Sequence, residues 1–362
     1  MQGFGRRCFL KIIGLLAALG LVRPGRAQAD KTRVVTVTDG RAWKGAGWTD
    51  ADLDGTIVRD MIGRALCDLT GQANASAALS ALIPQIEDPN QRYGIKVNCV
   101  NTDLPSHPAV VTTLIDLLVD AGADADNIVV YDRTDYELAK CGFTIGPTVY
   151  GSDHDGVGYN DEFLEFTTGA VKLSNILTDR IDHLINLPVL KNHTMAGVTL
   201  SLKNHFGSTT RPDSLHGPDN DCSPGIAELN ARPEIKAITR LVLVDALFGN
   251  YKTGLYGKPD YAPMSFIAAT DPVAADTVGQ QMINDRRAQE NLNPIDAKHI
   301  RDAAGLDLGT NDPAQIDHQK ILTNPVIEKP KPWEKGSSGC STAGGQGLAL
   351  AAGAALAFKL RR

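Results

Sequence analysis

The chain has 362 residues, and its 42 acidic side chains outnumber its 36 basic ones, which gives a formal net charge of −6. Nucleic acid is bound through clustered Lys and Arg, and an acidic chain without such a cluster does not suit it. The sequence therefore argues against a nucleic-acid partner, and its length predicts one large domain or two fused lobes.

The N-terminus predicts a signal peptide over residues 1–29. Arg6 and Arg7 form a twin-arginine motif ahead of an apolar run over residues 12–22, and residues 27–29 supply the small side chains of a cleavage site. We therefore expect the twin-arginine export machinery as a partner. The mature protein is expected to be exported, in the periplasm or associated with the cell envelope.

The C-terminus predicts a second address signal. A linker over residues 323–339, rich in Pro, Lys, Gly and Ser, leads to Cys340, a short apolar run and a basic end. The run is shorter than the ~20 apolar residues that a helix needs to cross a bilayer. Residues 340–362 therefore resemble a sorting tag, with a C-terminal processing protease and membrane anchoring as expected partners. The alternative is a plain disordered tail.

Residues 30–322 predict an α/β domain. Apolar, β-branched runs predict strands, and apolar residues at helical spacing predict helices. The predicted strands cover residues 33–38, 94–100, 127–132, 183–188, 240–245 and 265–270, and the predicted helices cover 50–69, 108–121 and a segment that opens at 271–272. Strand, helix and strand over residues 94–132 form a βαβ unit, which favours a parallel sheet. We predict a mixed or mostly parallel sheet flanked by helices.

A Lys-Asn-His triplet occurs twice within residues 188–208, at 191–193 and again at 203–205. Six polar side chains in an otherwise apolar segment are costly to bury unless each finds a partner. Several predicted strands also end in a polar residue, and ligands of open α/β sheets gather at the carboxyl ends of strands. The pattern therefore predicts that the functional site lies around the two triplets.

These stretches resemble a known family, the domain of unknown function 362. The resemblance is carried by residues 94–98, 107–108, 129–133, 187–193, 197–207, 226–230, 243–246 and 269–276. Some members of that family also carry ferredoxin-like cluster modules, which implies redox work for those members. This chain lacks such a module: Cys67, Cys99, Cys141 and Cys222 form no Cys-x-x-Cys pair, which argues against an iron–sulfur cluster.

The lysines and amides of this region predict a pocket for a small anionic molecule. Cationic side chains and the start of a helix both attract carboxylate or phosphate. The predicted ligand-binding residues are Lys96, Asn98, Lys191, Asn192, Asn204 and Asp271. Two alternatives stay open: a buried lysine that acts as a base or forms a Schiff base, and lysines that are simply solvated or paired with acids.

The histidines predict proton transfer or metal binding. His193, His205 and Lys203 are the predicted catalytic residues, and Asp245 and His216 are the predicted ligands of a divalent metal. On one continuous helix the two triplet histidines would lie roughly 18 Å apart, so they could approach only if the chain turned between them, near Gly197. Hydrogen-bonded structural histidines are the alternative.

Taken together, these patterns predict an exported α/β protein that binds a small anionic ligand, with a divalent metal as a candidate, and acts as an enzyme of unspecified reaction. The identity of any cofactor stays unknown. The alternative is a non-catalytic ligand-binding or electron-transfer module of the cell envelope.

Overall fold

A computed structural model describes residues 31–331 and Trp333. The predicted signal peptide and the predicted sorting tag lie outside the described residues, as does most of the linker beyond residue 331. Within the described residues the strands are β1 (Thr32–Asp39), β2 (Tyr93–Lys96), β3 (Ile128–Asp132), β4 (Val149–Gly151), β5 (Leu164–Phe166), β6 (Gly169–Val171), β7 (His183–Asn186), β8 (Val189–His193), β9 (Gly197–Val198), β10 (Thr239–Asn250), β11 (Ser265–Ala269) and β12 (Ile316–Asn324).

The α-helices of the same residues are α1 (Gly55–Thr70), α2 (Ala75–Leu82), α3 (Pro108–Asp120), α4 (Asp135–Lys140), α5 (Leu200–Asn204), α6 (Gly225–Asn230), α7 (Pro233–Lys236), α8 (Pro272–Gln289) and α9 (Lys298–Gly305). Single tighter or wider helical turns cover Gly40–Ala42, Asp50–Asp52, Ala125–Asn127, Ile176–Arg180, His205–Ser208, Pro212–Leu215 and Pro313–Gln315. No described helix combines the length and the apolar character that a membrane crossing requires.

One large sheet organises the fold, with the strand order β12-β1-β11-β10-β7-β2-β3-β4. The pairs β12/β1, β10/β7, β7/β2, β2/β3 and β3/β4 are parallel, whereas β11 runs antiparallel to both of its neighbours. Strand β8 pairs with β10 beyond the end of β7. The predicted mixed, mostly parallel sheet with flanking helices is therefore confirmed.

The helices cover both faces of the sheet because strand residues alternate between two apolar cores. Val34 packs into one core and its neighbour Val35 into the other. The core that contains Val35 also takes the buried residues of α1, α2 and α3, and the core that contains Val34 takes those of α5, α6, α8 and α9. Both faces of the central strands are buried, which explains their continuous apolar runs.

Local signals in the sequence set the ends of the helices. Asp54 caps α1 by accepting hydrogen bonds from Thr56 N and Ile57 N, and Pro108 opens α3 at a position where its missing N–H costs nothing. Asp271 caps α8 by accepting from Ala274 N. These capping residues account for the agreement between the predicted and observed starts of α3 and α8.

The strand predicted over residues 94–100 is shorter in the structure, since β2 ends at Lys96. Its partners β3 and β7 end at the same level, because the register pairs Lys96 with Tyr131 and with Asn186. The residues that follow leave the sheet as a loop, so the apolar and β-branched residues Val97 and Val100 do not extend the strand. This loop forms part of the candidate site.

At the C-terminal side, β12 continues past residue 322 to Asn324. The chain that follows contacts the body of the domain: Lys329 Nζ donates to Trp43 O at 2.6 Å, and the Trp48 indole N–H donates to Pro330 O at 3.3 Å. The described part of the predicted linker therefore packs on the domain.

Candidate functional site

A cleft with a cavity volume of about 310 Å³ opens at the carboxyl ends of β2, β3 and β8. This is the position that open α/β sheets use for ligands. Its described lining residues are Asn98, Val100, Asp132, Arg133, Glu137, His193, Thr194, Met195, Thr199, Lys203, Asn204, Phe206, Gly207, Pro212, Asp213, His216, Thr253, Leu255 and Tyr256. Both Lys-Asn-His triplets contribute to this cleft.

A buried ion pair lies beneath the cleft. Lys96 Nζ donates to Asp132 Oδ1 at 2.6 Å and to Val97 O at 2.7 Å, and both charged side chains are almost completely buried. Asp132 Oδ2 also accepts from Cys99 N at 2.6 Å. A Cβ atom at Gly207 would lie 2.1 Å from Asp132 Oδ1, so only glycine leaves room for the pair. The charges of Lys96 and Asp132 are thus both satisfied.

A chain of amides extends this buried network. Lys191 Nζ donates to Asn98 Oδ1 at 2.6 Å and to Leu104 O at 3.2 Å. Asn98 Nδ2 donates to Asn204 Oδ1 at 2.9 Å, and Asn204 Nδ2 donates to Asn186 Oδ1 at 2.7 Å. Burial lowers the pKa of Lys191 to about 8. Because each of these donors has a partner, the network is a structural floor rather than a ligand site.

A tight hairpin brings the two triplets to one cleft. His193 ends β8 and pairs with Gly197 in β9, and Gly197 has a φ of +81° that favours glycine. Helix α5 follows and is anchored by Asp276, whose carboxylate accepts from Ser201 N at 2.8 Å and Leu202 N at 2.9 Å. Burial raises the pKa of Asp276 to about 7. The turn near Gly197 therefore replaces the continuous helix on which the histidines would have been far apart.

His193 presents an unused donor to the cleft. Its Nδ1 accepts hydrogen bonds from Met195 N at 3.2 Å and Ala196 N at 3.1 Å. A ring nitrogen that accepts carries no proton, so the proton of the neutral ring lies on Nε2. Nε2 is buried and has no partner among the described residues. Burial, with the charge of Lys203 adding to it, lowers the pKa of His193 to about 3, so the ring is neutral at ordinary pH.

Lys203 presents an unpaired cation to the same cleft. Its Nζ lies 3.8 Å from the centroid of the Phe206 ring and has no hydrogen-bond partner among the described residues, while the Asp213 carboxylate interacts with its charge from beyond ion-pair distance. Burial lowers the pKa of Lys203 to about 8. The hydroxyl of Thr199 is likewise buried without a described partner. Three donors therefore line one cleft without an acceptor.

The rim of the cleft carries charged and aromatic side chains. His216 stacks on Phe206 with ring centroids 5.9 Å apart, on a ring that also contacts Lys203. Burial lowers the pKa of His216 below its ordinary 6.5. Arg133 forms an ion pair with Glu137 on the first turn of α4. The shift favours the neutral imidazole of His216, and the charge of Arg133 is already compensated.

A family model described as "Domain of unknown function (DUF362)" matches residues 94–281. The chain belongs to the DUF362 family. The matched range contains every described residue that lines the cleft, as well as Lys96 and Lys191 beneath it. The site is therefore part of the family domain.

Other comparisons add little to this DUF362 assignment. A crystal structure of a protein from Thermotoga maritima is 10% identical to the chain, with a TM-score of 0.35, and the match covers 66% of this chain and 60% of that one. The chain thus spans less than two thirds of that structure. No curated protein matches the sequence of the chain.

The structure divides the predicted site residues of this DUF362 chain into three groups. Asn98, His193, Lys203, Asn204 and His216 line the cleft. Lys96, Lys191, Asn192 and His205 lie buried beside it: Asn192 Oδ1 accepts from Gly254 N at 2.9 Å, and Asn186 Nδ2 bonds His205 Nε2 at 3.2 Å. Asp271 and Asp245 do not line the cleft.

Asp271 and Asp245 lie away from the cleft because of the direction and the length of their strands. Asp271 follows β11, which runs antiparallel to its neighbours, so this strand ends at the opposite edge of the sheet from the cleft. Its carboxylate accepts from Ala274 N and Thr310 N. Asp245 lies in the middle of β10, which continues to Asn250, and its Oδ2 accepts from His107 N at 3.0 Å and lies 2.7 Å from His107 Nδ1.

The predicted metal ligands are consequently not brought together. His216 lines the cleft and Asp245 is paired with His107. Among the residues that the structure describes, no three His, Cys, Asp or Glu side chains are grouped so as to hold a metal ion. These described residues do not fit a divalent metal at Asp245 and His216.

Sequence reasoning did not assign Thr199, Phe206 or Asp132 to the site. Thr199 lies between the two triplets, and Phe206 directly follows the second, so proximity to the triplets was an available signal. Asp132 is one of the polar residues that end predicted strands, so the rule on carboxyl ends indicates it, although it is not among the predicted site residues. Its pairing with Lys96, however, depends on the register of β2 against β3.

Proposed function

We propose that this DUF362 protein binds a small anionic ligand in the cleft and acts on it as an enzyme. The observation that carries the proposal is the set of three donors without described acceptors: Lys203 Nζ, His193 Nε2 and Thr199 Oγ1. Buried donors normally have acceptors, and an unpaired buried charge costs several kcal/mol. A carboxylate, sulfate or phosphate group would supply the missing acceptors and a negative charge in direct contact with Lys203.

The other walls of the cleft define the rest of the ligand. Val100, Met195, Leu255 and Tyr256 add apolar surface to the lining of the cleft. Apolar walls with a few convergent polar groups are typical of small-molecule sites, and a cavity of about 310 Å³ holds a ligand of modest size. We therefore favour an anion that carries an apolar portion over a bare inorganic ion.

His216 is the proposed proton-transfer group. A general acid or base works best when its pKa lies near the operating pH. His193, with a pKa of about 3, is too weak a base, and His205 is fully buried with an equally low pKa. His216 retains partial exposure at the rim, on the aromatic ring that also supports Lys203. A ligand held by Lys203 would lie within reach of this imidazole.

Calorimetric titration with benzoate, and separately with sulfate, tests the binding proposal. We expect saturable binding to the wild-type protein at pH 7, with benzoate tighter than sulfate because only benzoate buries apolar surface. In Lys203→Met, the affinity for both anions should fall at least about tenfold, since a charge-assisted hydrogen bond contributes about 1.5–3 kcal/mol.

Lys172→Met is the matched control. The Lys172 ammonium also packs over an aromatic ring, 5.1 Å from the centroid of Phe163, but this lysine does not line the cleft. Its replacement should leave benzoate and sulfate affinity unchanged. Wild-type affinity in Lys203→Met, or an equal loss in both variants, would contradict the proposal.

A further inference from the structure

Two buried cysteines lie in contact behind the cleft. Cys99 is in the loop after β2, and Cys141 follows the last residue of α4. The Cys141 thiol donates to Cys99 O at 3.3 Å, and its proximity adds to burial in raising the pKa of the Cys99 thiol. Both side chains are free thiols. Residues 42 positions apart in the chain are thus brought into contact.

A cation lies within electrostatic range of this thiol pair. The ammonium group of Lys191 is close enough to both thiols to interact with their charged forms. A nearby positive charge stabilises a thiolate, which is the reactive form in exchange with disulfides. Burial opposes this effect at Cys99, whose pKa is raised well above the ordinary value of 9.0. Cys99 is therefore poorly suited to react first.

Access to the pair is one-sided. A second cleft, with a cavity volume of about 460 Å³, is lined by Cys141 together with Trp48, His107, Lys140 and Lys258. Cys141 is 7% exposed, whereas Cys99 is fully buried. A small molecule that enters the second cleft can therefore meet Cys141 but not Cys99. This arrangement is that of an attacking cysteine with a resolving cysteine behind it.

We infer that Cys99 and Cys141 form a redox-active pair, which a small-molecule disulfide entering the second cleft converts to a disulfide bond. The Cys141 thiolate attacks one sulfur of the incoming disulfide, and the first thiol leaves. The Cys99 thiolate then attacks Cys141 Sγ in the mixed disulfide, and the second thiol leaves. The two cysteine sulfurs lose two electrons, the external disulfide gains them, and the two cysteine protons end on the released thiols.

The reaction would act directly on the ligand cleft. Cys99 N donates to Asp132 Oδ2 at 2.6 Å, and Asp132 both lines the cleft and neutralises Lys96. A new bond at Cys99 Sγ therefore pulls on the residue that fixes this carboxylate. The inference itself does not depend on anion binding, because the bond between the two sulfurs can be read independently.

Mass spectrometry after treatment of the folded full chain with glutathione disulfide tests the inference. Remaining thiols are alkylated under denaturing conditions, and the protein is digested with trypsin, which separates the two cysteines by cleavage after Arg133 and Lys140. We expect the Cys99 and Cys141 peptides to be joined, with the loss of two hydrogens. Their thiols should resist alkylation unless a reductant is added.

Three variants fix the order of the steps. In Cys99→Ser the reaction should stop at a mixed disulfide between Cys141 and glutathione. In Cys141→Ser neither position should react, because Cys99 is fully buried; Cys141→Ala with a wild-type circular dichroism spectrum confirms this in a second folded variant. Cys67→Ser, a control in α1 outside the pair, should keep the cross-link.

Two results would overturn the inference. One is that both cysteines of the treated wild-type protein stay free thiols and are fully alkylated afterwards. This would show that the second cleft does not admit the disulfide. The other is that wild-type Cys141 retains glutathione without linking to Cys99, which would show that the sulfurs cannot reach bonding geometry.

Discussion

In the first Lys-Asn-His triplet the lysine has hydrogen-bond partners within the protein. In the second triplet the lysine has none among the described residues, and we call it the open lysine. Lys191 donates to Asn98 Oδ1 and Leu104 O, but Lys203 has no hydrogen-bond partner among the described residues and lies over the face of Phe206. For the histidines the order is reversed, since the first triplet holds the one with an unpaired ring nitrogen. His205 is hydrogen-bonded to Asn186, while His193 Nε2 has no described partner.

The difference between the triplets shows that residue type does not decide the role here. His193 ends β8, where the hairpin brings it into the lining of the cleft, and Lys203 lines the same cleft from α5. Lys191 is covered by the loop that follows β2. The open lysine and the open histidine therefore come from different triplets, and together they make the proposed anion site.

Removing a member of the satisfied floor should have the largest effect. Asp132→Ala leaves the fully buried charge of Lys96 without its counter-ion, and breaking a buried pair in this way costs about 3–5 kcal/mol of unfolding free energy. Denaturant unfolding at pH 7 measures it. Asp213→Ala, at an exposed position on the rim, should change stability by less than about 0.5 kcal/mol. Equal losses of unfolding free energy in the two variants would contradict the distinction between the buried floor and the exposed rim.

The two lysines should respond oppositely to methionine. The pKa of Lys203 is about 8 instead of the ordinary 10.5, so its buried charge destabilises the fold by about 3 kcal/mol below pH 8. Lys203→Met should therefore raise the unfolding free energy at pH 7. This gain should disappear between pH 8 and pH 10.5, because the folded wild-type protein loses the proton first as the pH rises.

Lys191→Met removes a similar burial cost but leaves two buried acceptors, Asn98 Oδ1 and Leu104 O, without their donor. Each such loss costs about 1–3 kcal/mol. Lys191→Met should accordingly be less stable than Lys203→Met by at least about 2 kcal/mol in the same unfolding experiment. Equal stability of the two variants would show that the two lysines do not differ as described.

The histidines sharpen the comparison on a smaller scale. His205→Ala removes a buried ring bonded to Asn186 and should cost about 2 kcal/mol, the usual size for a buried polar group that loses its partner. His193→Ala removes the acceptor of Met195 N and Ala196 N and should cost a similar amount. Benzoate titration should separate the two variants, with the larger loss of affinity in His193→Ala, because only His193 lines the cleft. An equal loss of affinity in both variants would contradict the assignment.

The pH dependence of sulfate binding should show the charge state of Lys203. Sulfate keeps its charge between pH 7 and pH 10, and the pKa of Lys203 in the free protein is about 8. Above that pH the protein must take up a proton to bind, so the affinity should fall by up to about tenfold per pH unit. Calorimetry at three pH values measures this, and an affinity independent of pH would exclude the Lys203 ammonium as the anion partner.

The fold was largely predictable from the sequence because its strands are continuous apolar, β-branched runs, such as residues 128–131 and 241–244. Caps such as Asp271 fixed the start of α8. What could not be predicted was strand direction. Asp271 was expected at the site because it ends a strand, but β11 runs antiparallel to its neighbours and ends at the other edge.

The location of the candidate site could be predicted, but not the roles within it. The density of Lys, Asn and His over residues 188–208 indicated the region, and five of the predicted side chains line one cleft. Which lysine has a partner depends on the loop of Asn98 and Leu104, far away in the chain. Tertiary packing decides which donors find a partner, and the local sequence around the triplets does not reveal this.

The pKa of the Lys203 ammonium, measured directly by NMR with and without saturating benzoate, tests the central claim most closely. Lys203→Met identifies its signal. The structure predicts a pKa of about 8 in the free protein, and a higher value with benzoate because the carboxylate stabilises the charged form. A value near 10.5 without ligand, or a value that benzoate leaves unchanged, would contradict the open-lysine site.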